Sequence, residues 1–152
     1  MKSIARMEHV SSQSRPDNYY SFDSIKLLAC QKALGMENGA ILDGQITASS
    51  QWDEHHAPFQ GRLHFKKSGN KQGSWSAARS DPYQWLQIDL VSQYNEVTGV
   101  ATQGRNDFKY QYITKYKLQY GSDGVNFQYY RERGETADKV KTLTSATTLT
   151  AV

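Results

Sequence analysis

The sequence of 152 residues contains a single cysteine, Cys30, so an internal disulfide is excluded and the redox partner of this thiol stays open. It has no run of about 18 apolar residues, which excludes a helix that spans a bilayer. No apolar stretch follows Lys2 and Arg6, so the sequence as given shows no export signal. It also lacks an Asn-x-Ser/Thr glycosylation acceptor.

Common enzyme motifs are absent as well. The sequence has no Gly-x-Ser-x-Gly, no His-Glu-x-x-His and no Gly-rich phosphate loop. The 18 Lys and Arg against 15 Asp and Glu leave a net charge of +3, far from the basic excess of a dedicated nucleic-acid binder. We therefore predict a non-catalytic protein that does not bind nucleic acid.

The length predicts one domain with short flanking segments. Residues 1–24 are polar and mixed without a lasting period, which predicts a flexible N-terminal arm. The domain itself is predicted for residues 25–140. Residues 141–152 form a Thr-rich tail that either pairs as an edge strand or stays disordered.

Short apolar stretches rich in Tyr, Val, Ile and Thr, separated by Gly, Asn, Asp and Ser, are typical of an all-β domain. The clearest one places Leu86, Ile88 and Leu90 on one face and Gln87 and Asp89 on the other. A Gly-Ser-Asp-Gly turn at 121–124 predicts an antiparallel hairpin. The predicted strands are residues 85–90, 97–103, 113–120 and 125–130.

Several segments in one order resemble the discoidin domain, also called the coagulation factor V/VIII type C domain. They are Cys30 with Leu34-Gly35-Met36-Glu37-Asn38-Gly39, Asp43-Gly44-Gln45-Ile46-Thr47-Ala48-Ser49-Ser50, Arg62-Leu63, Gly73-Ser74-Trp75, Gln84-Trp85-Leu86-Gln87-Ile88-Asp89-Leu90, Thr102-Gln103-Gly104-Arg105 and Thr114-Lys115-Tyr116-Lys117-Leu118-Gln119-Tyr120. The resemblance covers residues 30 to 140. It implies a galactose-binding-like β-sandwich of jelly-roll type, with a five-stranded and a three-stranded antiparallel sheet and binding loops at one end.

The resemblance also implies a function. Such domains are non-catalytic modules of extracellular or cell-surface proteins, and they bind anionic phospholipid, glycans, collagen or other proteins. They usually close with a disulfide from the position of Cys30 to a final cysteine, after two further strands, and this sequence ends before both. We therefore expect a sandwich incomplete at its C-terminus. The alternative function is a protein-interaction fragment that a partner chain completes by strand addition.

The first candidate binding loop, residues 51–59, contains Trp52, Asp53, His55 and His56. An indole at a loop tip can enter a lipid interface or stack on a sugar ring, whereas the alternative is a lid folded onto the core. Asp53 could fix sugar hydroxyls. Adjacent histidines on an extended chain point to opposite sides, so they rarely bind one metal ion, but they could make contact with an anionic surface pH-dependent.

The second loop, residues 66–72, contains Lys66, Lys67 and Lys71 around a glycine. These lysines either contact lipid phosphates or sulfated glycans, or only keep the loop solvated.

The third loop, residues 105–111, contains Asp107, Phe108, Lys109 and Tyr110. Apolar area beside a cation suits contact with a membrane interface. Asp107 either accepts from a sugar hydroxyl or caps the turn. The resemblance implies that Arg105 is a paired, buried guanidinium.

No cofactor is required by these motifs, although some relatives hold calcium near the start of the domain. Asp43 is the candidate ligand, but one carboxylate does not make a site of six to eight oxygens. The predicted ligand is a membrane phospholipid surface or a glycan, with a protein ligand as a further alternative. The oligomeric state is left open.

Overall fold

The computed structural model describes residues 4–11, 33–91, 97, 99–108, 111–142 and 150–151. These ranges contain eight strands and three short 3₁₀ helices. The strands are β1 (Ile4–Ser11), β2 (Ile46–Ala48), β3 (Trp85–Asp89), β4 (Val100–Ala101), β5 (Lys115–Gly121), β6 (Gln128–Tyr129), β7 (Val140–Thr142) and β8 (Thr150–Ala151), and the helices are Asp43–Gln45, Glu54–His56 and Pro58–Gly61. The all-β prediction is confirmed.

Six strands form one antiparallel sheet in the order β2-β3-β1-β5-β6, with β7 also paired to β5. Ile4–Ser11 therefore lies in the middle of the sheet, where it pairs with β3 on one side and β5 on the other. This corrects the prediction of a flexible arm for these residues. The reason is that a segment with weak patterning of its own becomes a strand when two neighbours supply hydrogen-bonding partners along both of its edges.

The core lies against this sheet, as the alternation in β3 predicted. Leu86, Ile88 and Leu90 are all buried, together with Met36, Ile41, Ile46 and Tyr116. Trp75 packs against this cluster. The core therefore joins residues before β2 to strands more than 40 positions later.

The predicted hairpin is present, but its second strand is shorter than expected. β5 and β6 pair antiparallel, and Asp123 in the turn accepts hydrogen bonds from the backbone N–H groups of Val125 and Asn126. The predicted strand over residues 125–130 is reduced to Gln128–Tyr129 because Asp123 holds the chain after the turn in a bend.

A second, two-stranded sheet pairs β4 with β8. β4 is shorter than the strand predicted for residues 97–103, and its Val100 packs against the core of the larger sheet. In the predicted Thr-rich tail, residues 141–142 continue β7 and residues 150–151 form β8. Among the described residues, no helix has the length and hydropathy needed to cross a membrane.

Candidate ligand-binding loops

The first loop is folded by its own acidic residue. Asp53 precedes the short helix Glu54–His56, and its Oδ1 accepts a hydrogen bond from the backbone N–H of His55 at 2.8 Å. The same oxygen lies 2.6 Å from Nδ1 of His56. Asp53 therefore caps the helix and turns the His56 ring inward, while His55 lies on another side with Nε2 3.7 Å from Glu54.

Gln60 connects the first loop to the second. Its side chain is fully buried, with 0 % exposed, and Nε2 donates to the carbonyl oxygens of His55 at 2.7 Å and Gln72 at 2.6 Å. Its Oε1 accepts from the N–H of Ala57 at 2.7 Å. One amide side chain thus pairs with three backbone groups, of which the His55 carbonyl also accepts from the N–H of Gln72 at 2.9 Å.

Arg105 connects the third loop to the other two. Its guanidinium donates to both carboxylate oxygens of Asp107, at 2.8 and 3.0 Å. Further donations reach Oε1 of Gln72 and Oε1 of Gln111, each at 2.7 Å. The Arg105 side chain is only 12 % exposed and that of Asp107 16 %, which confirms the paired guanidinium implied by the resemblance. We call Arg105, Asp107, Gln72, Gln111 and His56 the loop clamp.

His56 completes the loop clamp through its ring. Nε2 lies 3.4 Å from Nη1 of Arg105, which is a donor only. The partners on both sides fit one neutral tautomer, in which Nδ1–H donates to Asp53 and the Nε2 lone pair faces Arg105. The first and third loops are therefore joined through one imidazole ring.

Contacts with the clamp lower the pKa of two carboxyl groups, Asp107 in the clamp and Asp53 beside it. Hydrogen bonding from Arg105 lowers the pKa of Asp107 from 3.8 to about 2, against an opposing effect of burial, and the N–H of Gly73 at 2.9 Å lowers it further. The hydrogen bond with His56 lowers the pKa of Asp53. Oδ1 of Asp53 and both carboxylate oxygens of Asp107 thus accept hydrogen bonds from neighbouring residues, which favours the charged form of each group.

Two large apolar side chains are exposed on the loops that the clamp joins. Trp52 is 64 % exposed, although its backbone N–H is fixed to the carbonyl of Ser76 at 2.8 Å. Phe108 is 50 % exposed, and its ring centroid lies 5.8 Å from the Arg105 guanidinium. Trp52 therefore does not fold back as a lid on the core.

The lysines of the second loop are exposed as well. Lys66, Lys67 and Lys71 all reach solvent, and Nζ of Lys71 lies 5.1 Å from the ring centroid of Phe59. Phe59 itself packs against the core. The described loops thus present apolar tips and ammonium groups outward. Among their acidic side chains, Asp107 is mostly covered, whereas Asp53 and Glu54 are 41 % and 86 % exposed.

Other predicted residues have different positions. Lys109, Tyr110 and Cys30 lie outside the described residues. Asp43 is paired with the buried Arg62, whose Nη2 lies 2.5 Å from Oδ1 of Asp43. Within the described ranges, no group of three or more His, Cys, Asp or Glu side chains is placed to hold a metal ion.

The glutamines of the clamp and Gln60 were missed by sequence reasoning. A Gln that makes structural hydrogen bonds cannot be told from a solvated one by residue type, and the partners here are backbone groups or the Arg105 guanidinium. Arg62 was noted only as part of a motif, yet its guanidinium donates to the carbonyls of Met36 at 2.9 Å and Ile41 at 2.7 Å. No local pattern marks these contacts.

Comparisons with known proteins agree with the fold. Residues 45–151 match the family model described as F5/8 type C domain. The chain is 33% identical to coagulation factor V of Sus scrofa over 140 residues, which is 89% of this chain and 6% of that protein. It is 38% identical to lactadherin of Rattus norvegicus over 116 residues, 72% of this chain and 26% of that protein. It is 37% identical over 124 residues to discoidin, CUB and LCCL domain-containing protein 2 of Rattus norvegicus, 79% of this chain and 16% of that protein. The chain thus spans about a quarter or less of these relatives.

Proposed function

Because the chain belongs to the F5/8 type C, or discoidin, domain family and therefore has a β-sandwich fold, we propose that it is a non-catalytic module that binds anionic phospholipid membranes through the first, second and third loops. The observation that carries the proposal is the exposure of Trp52 and Phe108 on loops joined by one clamp. The family resemblance supports action outside the cell or at its surface.

The proposed contact has an apolar part and a charged part. Trp52 and Phe108 enter the interface, where complete burial of such a side chain is worth roughly 1.5–3 kcal/mol. Lys66, Lys67 and Lys71 meet lipid phosphates at about 1 kcal/mol each. The clamp holds the loops in place before binding, so little conformational entropy is lost on contact.

The engagement of Asp107 and of Oδ1 of Asp53 by partners within the loops favours a membrane over a glycan. A lectin site on these loops needs carboxylates that accept from sugar hydroxyls. Asp107 uses both oxygens on Arg105, and Asp53 uses Oδ1 on His55 and His56. We assign Asp53, His56 and Asp107 to positioning of the loops, and leave His55 as a peripheral contact to anionic headgroups.

The test is co-sedimentation with vesicles of phosphatidylcholine alone and of phosphatidylcholine with phosphatidylserine. We expect binding only to the anionic vesicles, with a loss of about 10- to 100-fold in affinity for Trp52→Ala combined with Phe108→Ala. Lys66→Gln, Lys67→Gln and Lys71→Gln together should weaken binding about 100-fold and reduce its salt dependence.

Matched controls are Val125→Ala and Lys115→Gln, which remove an exposed apolar side chain and an exposed charge outside the three loops. Both should bind like the parent protein. Equal loss in the controls, or unchanged binding of the loop variants, would contradict the proposal. Competition by a simple sugar instead of vesicles would point to a lectin.

A further inference from the structure

In the large sheet, β1 lies between two groups of strands and pairs with both. β2 and β3 form one group, and β5, β6 and β7 form the other. β1 is the only described strand that pairs with both, through five residue pairs with β3 and seven with β5. The space between β3 and β5, which we call the strand slot, is therefore lined by two strand edges.

An edge strand exposes a row of backbone N–H and C=O groups, and an extended segment of suitable length can pair with them as an added strand. The strand slot presents two such rows to one occupant. In the antiparallel register, Arg6 lies opposite Gln87 on one side and Gln119 on the other. The pairing is made by main-chain groups, so it is the same whether the occupant belongs to the same chain or to another copy.

The chain between β1 and the rest of the domain is long. Ser11 ends β1, and the next described residue is Ala33, so 21 residues lie between them. Such a segment spans up to about 70 Å when extended. A domain of this size is roughly 40 Å across. The connection is therefore long enough for Ile4–Ser11 to reach the strand slot of a neighbouring molecule.

From this geometry we propose that the strand slot is an exchange site, at which Ile4–Ser11 of a second copy of the chain replaces the chain's own strand. Reciprocal exchange gives a two-fold symmetric dimer that keeps every β1 pairing of the monomer. The monomer and the exchanged dimer have the same β1 contacts. The ratio of dimer to monomer therefore depends on the protein concentration relative to the effective concentration of the tethered strand, which is on the order of millimolar.

The exchange has a consequence for the proposed membrane contact, and only this step rests on the proposed function. A dimer carries two sets of the three loops on one particle. Simultaneous contact of both sets raises avidity by about 10²–10⁴ without a new interaction. Accumulation of the protein on a surface would in turn favour exchange.

The experiment traps the strand by a disulfide in the full chain. In a Cys30→Ser background, Ala5→Cys is combined with Tyr120→Cys, because these residues lie opposite each other in the β1–β5 register. Equal amounts of normal and nitrogen-15-labelled protein are mixed, held at about micromolar or about millimolar concentration, and oxidised. Mass spectrometry then measures the share of cross-linked peptides that combine one labelled and one unlabelled half.

We expect mixed cross-links to rise with concentration, toward roughly one half when all strands are exchanged. The control is the Cys30→Ser background with Ala5→Cys alone, which reports cross-links from random collision. Mixed cross-links at the control level at both concentrations would overturn the proposal. Absence of any 5–120 cross-link would also overturn it, because β1 would then not occupy the slot. Neither result depends on lipid binding.

Discussion

Replacement of Arg105 by methionine tests the loop clamp most directly. The change keeps a long unbranched side chain but removes the donors to Asp107, Gln72 and Gln111. Asp107, whose side chain is 16 % exposed in the parent protein, then loses the guanidinium that offsets its negative charge. Removal of one partner from a fully buried ion pair typically costs about 3–5 kcal/mol. The Arg105–Asp107 pair is only partly shielded from solvent and Asp107 still accepts from Gly73, so we expect a smaller loss of about 2 kcal/mol.

The pH dependence of stability gives a second measure of the same pair. The pKa of Asp107 is lowered from 3.8 to about 2, so the folded state binds its proton less readily than the unfolded chain. This contribution to stability is complete above about pH 4 and is lost as the pH falls toward 2. In Arg105→Met the main cause of the lowered pKa is gone, so this part of the acid sensitivity should shrink.

Urea unfolding measures both effects, provided that the slope with denaturant stays constant. Asp107→Asn serves as the matched control, because it keeps an acceptor for Gly73 but removes the charge. The double variant should lose less than the two single losses together, by about 1–2 kcal/mol of coupling. A loss below about 1 kcal/mol for Arg105→Met, with no coupling, would mean that the pair is screened like an ordinary surface ion pair.

Two other substitutions test the local packing of the loops by the same urea unfolding. Gln60→Leu should cost about 2 kcal/mol because it removes the Gln60 partner of the part-buried Ala57 N–H and Gln72 carbonyl, and a loss below about 1 kcal/mol would contradict that role. Gly73→Ala should cost about 2 kcal/mol, since the added Cβ would lie 2.5 Å from Oδ1 of Asp107. Gly44→Ala is its control, because an added Cβ there meets nothing within 4 Å, and an equal loss in both would refute the contact argument.

The fold was predictable wherever burial follows a local period. β3 alternates strictly, and its apolar face is the face that lies in the core. β1 was missed for the opposite reason. Its segment Ile-Ala-Arg-Met-Glu-His-Val-Ser has only weak alternation, and its partners at Trp85–Asp89 and Lys115–Gly121 lie more than 70 positions away. Such a strand is specified by its neighbours and not by its own residues.

In the candidate site too, some features follow from the local sequence and others depend on partners in other segments. The exposure of Trp52 could be predicted, because a large apolar residue stands in a polar loop that the family resemblance marks as a candidate binding loop. Asp53 pairs with His56 and Asp107 with Arg105 inside their own loops, but Arg105 is held in turn by Gln72 and His56 from other segments. The residue types alone therefore suggested that Asp53 and Asp107 contact a sugar, whereas in the structure both accept hydrogen bonds from residues of the loops.

The clamp divides the loop residues into those that hold the loops and those that touch the solvent. Arg105, Asp107 and Gln60 use their polar atoms on each other or on backbone, whereas Trp52 and Phe108 project outward. Exposed tips can be replaced at little cost in folding free energy. Under the proposed function, changes at the tips alone would therefore alter ligand preference, and the residues that hold the loops would keep the same fold.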